Sequence, residues 1–415
     1  MYCGACAHDA ALARALIAQG HDMQVVPLYT PLRLDQNLAA ATAPVFLGAI
    51  NAYLQQLSPV FARFPAFLTH ALDHPSLLNW VSKFAVRTKP AQLGPMTVSV
   101  LAGTEGRQRG ELRKLMDFLR AQPPPDLISI TNSLLSALAP EVKRDFGAPV
   151  VCGLQGEEGF VAGLPELFRA QAHELMRDHA RHVDLFVAPG EAYAAEMADF
   201  LQVPASKVRV LRPCLEVADF ARPGARPRDP FVLGYLSVIT PRKGLHVLVD
   251  AFRKLAVEQK RNLVLRVAGR ILNRGYWKQI SRTIASAGLS DRFEYLGEVD
   301  RRGKIALLHG CSAFSQPALE PEARGMAAME AMAAGVPVVV PDSGVFPEML
   351  SLAPGGLLFP PRDADGLAAA VAHLMDDPAG ADRLGRAGAE GIAEHFSAVR
   401  MGQEAAALFE QLAAR

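Results

Sequence analysis

The chain has 415 residues, half of them hydrophobic, a length that favours two domains of roughly 200 residues over a single core. Its 43 Lys and Arg balance 42 Asp and Glu, so the chain lacks the basic excess of proteins that bind nucleic-acid backbones, and nucleic acid is not an expected partner. Five scattered cysteines, an odd number, argue against a disulfide framework and predict free thiols in a reducing, cytoplasmic compartment.

The N-terminal elements predict a doubly wound α/β domain without its opening strand. A loop containing Gly4 precedes a helix with Ala and Leu on one face, which stops at Gly20 and is followed by a predicted strand at residues 23–28. A doubly wound domain begins with a strand before this loop, so either the sequence starts late, which is the interpretation we favour, or the sheet has lost its first strand. Cys3 and Cys6 form a CxxC, which we interpret as a plain loop rather than a zinc or redox site.

An apolar segment follows at residues 44–84, rich in Leu, Phe, Val and Ala at helical spacing. Its polar face carries few Lys or Arg, which favours a buried helical insertion, at about residues 40–90, over an interfacial helix. No stretch reaches the roughly 18 to 20 apolar residues of a spanning helix, and the N-terminus lacks the basic and apolar segments of a signal peptide. We therefore expect a cytoplasmic protein, with peripheral membrane contact through the apolar segment as the alternative.

Strands and helices then alternate, which predicts a parallel sheet in the first domain, residues 1–220. The helices are expected at residues 110–121 and from about residue 191. The strands are expected at residues 96–101, 127–131, 149–154, 182–189 and 208–211.

A linker rich in Pro, Gly and Arg, residues 221–230, separates this domain from a second one at residues 231–395. Residues 396–415 are expected to form a helix that packs back toward the first domain. Within the second domain we expect strands at residues 231–236, 263–268, 293–296, 313–315 and 336–340, a turn at 241–244, and helices at 245–254, 277–287, around 305 and at 327–334.

The strongest functional pattern lies in residues 316–341, QPALEPEARGMAAMEAMAAGVPVVVP. Glu322 and Glu330 are separated by seven residues, with Gly325 between them and an Ala-rich helix beginning near residue 327. A glycine turn that enters a helix presents free N–H groups to an anionic or hydroxyl-rich ligand. Two carboxylates facing one cleft suit hydrogen bonds from the vicinal hydroxyls of sugars. Two glutamates at this spacing alone are more often a solvated face.

This E-x7-E followed by AMAAGVPVV resembles the signature of retaining glycosyltransferase family 4. Further resembling pieces lie at residues 3–33, 235–252, 295–308, 343–350 and 355–371. The resemblance spans most of the chain in the expected order. It implies the GT-B fold, in which two Rossmann-like, doubly wound parallel-sheet domains face each other across a cleft, an acceptor-side domain and a nucleotide-sugar-binding domain.

The resemblance also implies roles for residues that bind the donor sugar and ribose. Glu322 matches the glutamate that contacts the donor sugar near the reacting carbon, and Glu330 matches the one that holds the ribose hydroxyls. The backbone at Gly325 and Met326 would hydrogen-bond the sugar.

Other matching positions would surround the diphosphate and nucleotide. Lys243, in the turn TPRKG, matches the lysine that neutralises the diphosphate as the glycosidic bond breaks. Gly4 matches the glycine at which the N-terminal loop approaches the same diphosphate, since it has no Cβ. Gly269 and Arg270 would lie beside the nucleotide. An isolated turn lysine is usually solvated, but the matching frame around Lys243 favours the functional interpretation.

The sequence departs from the family pattern at two positions. Val238 stands where the family has an arginine on the strand end, which leaves Arg242 or Arg324 as the source of a second cation. Gln155 stands at the histidine-containing strand end, so no catalytic histidine is assigned. Members of this family need no bound metal, and we expect neither a metal nor another cofactor here.

Three functions are consistent with this sequence. The first is retaining transfer of a sugar from a nucleotide-diphosphate sugar to an acceptor hydroxyl, in glycan, exopolysaccharide or glycolipid synthesis, by a hexosyltransferase-like enzyme. The second is a nucleotide-sugar epimerase of the same fold. The third is a degenerate, non-catalytic nucleotide-sugar-binding protein, which Val238, Gln155 and the missing strand favour. The expected acceptor is a sugar, a lipid-linked sugar or a small molecule.

Overall fold

The computed structural model describes residues 4–28, 46, 90–221 and 226–414. The chain forms two compact units, one made of Met1–Arg212 with Met401–Arg415 and the other of Pro213–Arg400. Each is an α/β unit with its own parallel sheet, which confirms the predicted fold class. No described helix combines the length and apolar character needed to cross a bilayer. The expectation that the two sheets face across a cleft stays a prediction.

The first unit contains four described strands and the helices that connect and flank them. The elements are α1 Gly4–Ile17, α2 Pro90–Leu101, α3 Arg109–Arg120, β1 Ile128–Ile130, α4 Leu138–Phe146, β2 Val150–Gly153, α5 Glu157–Ala162, α6 Glu166–His179, β3 Leu185–Ala188, α7 Glu191–Leu201 and β4 Val208–Val210. The strands pair in the order β1-β2-β3-β4, all parallel. Val150, Val151 and Cys152 are fully buried, as in a parallel strand that helices cover on both faces.

Four of the predicted strands in this unit are confirmed, but residues 96–101 are not a strand. They form the second half of α2, so that prediction is wrong. The β-branched residues there favour a strand only weakly, and packing overrides the preference. Thr97 Oγ1 donates to Leu93 O at 3.0 Å along the helix, and a Cβ on Gly94 would lie 2.5 Å from the Phe168 ring, so the helix backbone packs closely on α6.

Residues 23–28 are also not a strand, contrary to prediction. Their contact with a neighbour is one parallel bridge between Leu28 and Phe46, with Phe46 N donating to Pro27 O at 3.1 Å. A strand needs a partner along its length for its backbone groups, and the described residues provide one only at this point. The predicted insertion at about residues 40–90 lies outside the described residues, apart from Phe46 and Pro90.

The second unit contains six strands among its described residues. The elements are β5 Phe231–Leu236, α8 Leu245–Arg253, β6 Leu263–Ala268, α9 Arg274–Ser286, β7 Phe293–Tyr295, α10 Arg301–His309, β8 Ala313–Ser315, α11 Met326–Ala333, β9 Val338–Pro341, α12 Phe346–Leu352, β10 Gly356–Phe359, α13 Ala364–Asp376 and α14 Pro378–His395. A π-helical segment, Lys254–Glu258, continues α8. The parallel strands lie in the order β10-β9-β8-β5-β6-β7. The predicted strands and helices of this domain are confirmed to within a few residues.

Side chains of successive strand residues pack into two cores, one on each face of this sheet. Leu233, Tyr235 and Val339 belong to one core, and Val232 and Val338 to the other. Burial on both faces fixes the sheet and therefore the strand ends from which the loops leave.

The described residues of the predicted linker, 221 and 226–230, belong to the second unit and are anchored within it. Arg226 Nη1 donates to Ser312 O at 3.1 Å, and Arg226 and Arg228 both form ion pairs with Asp382. The second unit begins at Pro213, ahead of the predicted linker.

The last helix, α15 Ala398–Ala413, enters the first unit from Met401 on. Gly402 lies against α1, since a Cβ there would come within 2.7 Å of Ala15 Cβ. Elsewhere in the units, Cys152, Cys214 and Cys311 are buried free thiols, as expected for these three.

Candidate functional site

The candidate site lies where β5 and β8 are neighbours in the second sheet while their chains continue toward opposite edges. Loops that leave such a switch point separate and border a crevice at the carboxyl ends of the strands. The loops after β5 and β8 are joined by a backbone hydrogen bond, in which Leu319 N donates to Arg242 O at 2.9 Å. At Gly244 φ is +71° and a Cβ would lie 1.7 Å from Pro317 O, so this approach requires glycine.

An ion pair joins the two loops. Lys243, in the 3-10 turn after β5, donates from Nζ to Oε1 of Glu322 in the loop after β8. The two side chains are 30% and 15% exposed, so the pair is partly shielded from water. The backbone of Lys243 is held in place because its carbonyl accepts a hydrogen bond at 3.3 Å from the hydroxyl of the buried Tyr235. A cation and a carboxylate predicted from sequence therefore meet.

The backbone of Glu322 is held by the segment that leads into α12. Val345 N donates to Glu322 O at 2.9 Å. Gly344 has φ +60°, and a Cβ on it would lie 2.6 Å from both the N and the O of Glu322. A side chain at Gly344 would therefore displace the carboxylate from the lysine.

Gly325 begins α11 in a left-handed conformation, with φ +59°. A Cβ here would lie 2.8 Å from Met349 Cε and 2.9 Å from Phe346 Cε1, so the turn is packed tightly on α12. The first N–H groups of the helix, from Met326 on, have no partner within the helix and lie at its positive dipole end. These N–H groups are donors of the kind that suits an anionic or hydroxyl-bearing ligand, and the predicted binding role of Gly325 and Met326 stays a prediction.

Glu330 is buried in the middle of α11, with 8% of its surface exposed. Its Oε1 accepts a hydrogen bond from Lys304 Nζ of α10. Burial raises the pKa of this carboxyl, while the nearby charges of Lys304 and Arg301 act in the opposite direction. The second glutamate of the motif therefore has its own cation and does not share Lys243.

The loop after β6 packs beside the loop after β5. Gly269 has φ +140°, and a Cβ there would lie 1.8 Å from Ser237 O. Arg270 O accepts a hydrogen bond from Ile239 N at 2.9 Å, and Arg270 is exposed. These two predicted nucleotide-binding residues thus border the loop that carries Lys243.

The remaining predicted residues are placed as follows. Arg242 forms an ion pair with Glu320, and Arg324 lies half-buried in the loop before Gly325. Val238 is 40% exposed after β5. Gly4 belongs to the first unit and is the first residue of α1, so its prediction as a loop residue is wrong. Among the described residues, no group of three His, Cys, Asp or Glu could hold a metal ion.

A separate polar cluster lies at the carboxyl ends of β1 and β2 in the first unit. Gln155 Nε2 donates to Thr131 O at 2.8 Å, and Thr131 Oγ1 donates to Asp9 Oδ2 at 2.9 Å. The Glu157 carboxylate accepts from Gln155 N at 2.6 Å and from Ser133 N at 3.0 Å. Burial raises the pKa of Glu157, and these two backbone hydrogen bonds oppose the rise. Gln155 therefore ties two loops together.

Sequence analysis did not single out Lys304, Gly344 or Gln316. Gln316 follows β8, is 4% exposed, and its Oε1 has no hydrogen-bond partner in the described parts of the chain. A polar residue directly after a buried strand was an available signal for it. Lys304 and Gly344 carried no such signal, because their importance comes from contacts with residues distant in sequence.

In doubly wound parallel sheets, ligands bind at the switch point, where Lys243 and Glu322 lie in this unit. The family follows from direct comparison: residues 4–214 match the glycosyl transferase 4-like domain, and residues 218–391 match glycosyl transferases group 1. The chain belongs to the glycosyltransferase 4-like family. The resemblance inferred from the E-x7-E region is thereby confirmed.

Two curated relatives illustrate the range of similar proteins. Glycogen synthase of Mycobacterium tuberculosis is 26% identical over 278 residues, which cover 66% of this chain and 65% of that protein. The chain therefore spans just under two thirds of this relative. Phosphatidyl-myo-inositol mannosyltransferase of Mycobacterium leprae is 34% identical over 152 residues, which cover 37% of this chain and 39% of the relative.

Solved structures are similar in fold. Alr3699/HepE of Anabaena, in complex with UDP-glucose, has a TM-score of 0.62 and 20% sequence identity, covering 73% of this chain and 83% of that one. At this identity the likeness concerns the fold alone.

Proposed function

We propose that this protein transfers a sugar from a nucleotide-diphosphate sugar to an acceptor hydroxyl with retention of configuration, in glycan, exopolysaccharide or glycolipid synthesis. The observation that carries the proposal is the contact between Lys243 and Glu322 at the switch point of the second sheet. Family membership and relatives named as glycosyltransferases support it.

Both charges have a use in this reaction. As the bond between the anomeric carbon and the diphosphate breaks, negative charge grows on the leaving oxygen and positive charge on the sugar ring. Lys243 stabilises the first and Glu322 the second, and preorganised charges cost little reorganisation as the reaction proceeds. Before the donor binds, each neutralises the other. We therefore propose that this cation comes from the protein and that the reaction uses no metal or other cofactor.

The acceptor oxygen attacks the anomeric carbon from the face that the diphosphate leaves, forming the new glycosidic bond as the old one breaks. The acceptor proton passes to the leaving phosphate oxygen. This route needs no catalytic histidine, which is consistent with Gln155 acting as a hydrogen-bonded tie in the first unit.

The remaining predicted residues bind the donor. Glu330 accepts hydrogen bonds from the ribose hydroxyls, and the N–H groups at Gly325 and Met326 bind the sugar. Gly269 and Arg270 border the nucleotide. The second cation at the diphosphate is Arg242 or Arg324, and Gly4 is a further donor-site residue, as the family pattern implies.

The acceptor is a sugar, a lipid-linked sugar or a small molecule, and we propose that the first unit binds it. The Thr131 hydroxyl and the Asp9 carboxylate, at the carboxyl edge of that sheet, are polar groups suited to a hydroxylated ligand. A lipid-linked acceptor would bring the protein to a membrane surface as a peripheral protein of the cytoplasm.

A thermal-shift screen of UDP-, GDP- and ADP-sugars tests the donor. Binding to the folded state stabilises it by about 2.7 kcal/mol when the ligand is at 100 times its Kd. The donor found in this way is then incubated with candidate acceptors and the wild-type protein or Glu322→Gln. We expect transfer by the wild type and none by the variant, with equal melting temperatures. Equal turnover by both would contradict the role of Glu322.

Incubating the protein with the donor and no acceptor tests the other two functions, the epimerase and the non-catalytic binding protein. An epimerase converts the sugar or releases nucleotide without any acceptor, whereas a transferase leaves most of the donor intact. Donor binding with no transfer to any component of a cell extract would instead favour a non-catalytic binding protein, the function that the uncharged Val238 favours.

A further inference from the structure

Lys304 and Arg301 form a small cationic cluster beside Glu330. Both lie on α10, and their charged groups stand over the Phe220 ring, 5.7 Å and 5.6 Å from its centroid. Phe220 is 1% exposed, so the ring is a fixed surface. Lys304 reaches from this ring to Glu330 Oε1, and Arg301 forms an ion pair with Asp219.

The segment under the cluster is held in place. The 3-10 turn Val217–Phe220 packs on α10 and α11, and His309 Nε2 lies 3.0 Å from Phe220 O. A cation over the face of an aromatic ring is attracted electrostatically by the ring. Both the Phe220 ring and the Glu330 carboxylate therefore hold the Lys304 ammonium in place, and these two contacts fix the orientation of the ion pair.

The geometry of Glu330 leaves one oxygen for a ligand. In the described residues, Lys304 is the only side chain that hydrogen-bonds this carboxylate, and it does so at Oε1. Vicinal hydroxyls need acceptors, which an ionised carboxylate offers and a protonated one partly lacks. Hydrogen bonds to a charged acceptor are also about twice as strong as neutral ones.

We propose that Lys304, located by the Phe220 ring, is a positioning residue of the donor site that keeps Glu330 ionised and in one orientation for the ribose hydroxyls. This inference rests on the proposed function, in which Glu330 binds ribose. Lys304 acts through Glu330 and does not itself touch the reacting atoms. The distinction matters because a lysine that only offset the burial of Glu330 would affect stability and not ribose recognition.

The test compares ribose with 2′-deoxyribose. The Kd of UDP, GDP and ADP and of their 2′-deoxy forms is measured by calorimetry for the wild type, and the best nucleotide is carried forward. The variants are Lys304→Met, Lys304→Arg, Glu330→Gln and the double variant Lys304→Met with Glu330→Gln. Lys254→Met is the matched control, since its side chain is 27% exposed against 24% for Lys304 and pairs with Asp365 elsewhere in the unit.

We expect the wild type to prefer ribose by about tenfold, the effect of a hydrogen bond to a charged group. Lys304→Met should lose most of this preference and Lys304→Arg should retain it. In the Glu330→Gln background, Lys304→Met should have no further effect. The Lys254→Met control should match the wild type. If Lys304→Met does not fold, Lys304→Gln, which keeps a donor without the charge, replaces it.

Two results overturn the inference while leaving the proposed function intact. One is a ribose preference in Lys304→Met equal to that of the wild type. The other is a further loss when Lys304→Met is added to Glu330→Gln, which means that Lys304 contacts the nucleotide directly. If the wild type binds none of the three nucleotides, the proposed function fails and this inference fails with it.

Discussion

Replacing Lys243 with alanine removes the cation that the loop after β5 places against Glu322. At an effective dielectric constant near 20, two unit charges about 4 Å apart interact by about 4 kcal/mol. A single preorganised group that stabilises transition-state charge contributes about 3 to 4 kcal/mol, a factor of about 10² to 10³ in rate. We expect kcat/KM for the donor to fall by that factor in Lys243→Ala.

The free energy of unfolding of Lys243→Ala should change far less than its activation free energy. The Lys243 and Glu322 side chains are 30% and 15% exposed, and a partly exposed pair contributes about 1 kcal/mol to folding. Urea unfolding measures this loss, and steady-state turnover with the donor and acceptor from the screen measures kcat/KM. Lys254→Ala is the control, because its 27% exposed side chain also pairs with a carboxylate, from Asp365. It should show a similar small loss of stability with normal turnover.

Turnover by Lys243→Ala within threefold of the wild type, or an equal loss of activity in Lys254→Ala, would refute the proposed role of Lys243. The first result would mean that the lysine is only a turn residue paired with Glu322. The second would mean that any loss of a lysine in this unit impairs the protein.

Two further predictions concern packing and pH. Gly244→Ala should lower the free energy of unfolding by about 3 kcal/mol, because the new Cβ would lie 1.7 Å from Pro317 O. The control is Gly288→Ala, which has a similar φ of +68° but no atom within 4 Å of the new Cβ, and it should lower the free energy of unfolding by about 1 kcal/mol. Equal losses of stability in urea unfolding would contradict the clash at Gly244. Burial raises the pKa of Glu330 in the folded state above the unfolded value near 4.5, so folding takes up a proton at pH values between the two pKa values. As the pH rises through that range, this carboxyl lowers the free energy of unfolding. The stability of Glu330→Gln relative to the wild type should therefore rise as the pH increases above about 4.5 in thermal unfolding, and a difference that does not change with pH would exclude the effect.

Much of the second unit could be predicted from sequence because its signals are local. Apolar runs such as 231–236 and 263–268 predict buried strands, and glycine-containing turns such as TPRKG predict the loops between strands and helices. Lys243 and Glu322 were each predicted as site residues from the motif and its frame, whereas the ion pair between them was not. The GT-B arrangement of the two units stays a prediction.

The first unit was harder to predict because its propensities are ambiguous. Residues 96–101 alternate Thr, Ser and Val, yet they form a helix, since Gly94 allows α2 to pack closely on the Phe168 ring. Residues 23–28 read as a strand, but a strand exists only where a neighbour supplies hydrogen bonds, and the described partner is Phe46 alone.

The sequence by itself determined the family, the alternation of strands and helices, and the residues of the donor motif, because these depend on neighbours along the chain. Only the tertiary structure decided which charges meet. Glu330 is paired with Lys304, 26 residues away, and Glu322 is held by Gly344 and Val345, contacts that no local pattern encodes. Burial and ion pairing depend on the environment that distant segments create, so they appear only when the chain is folded.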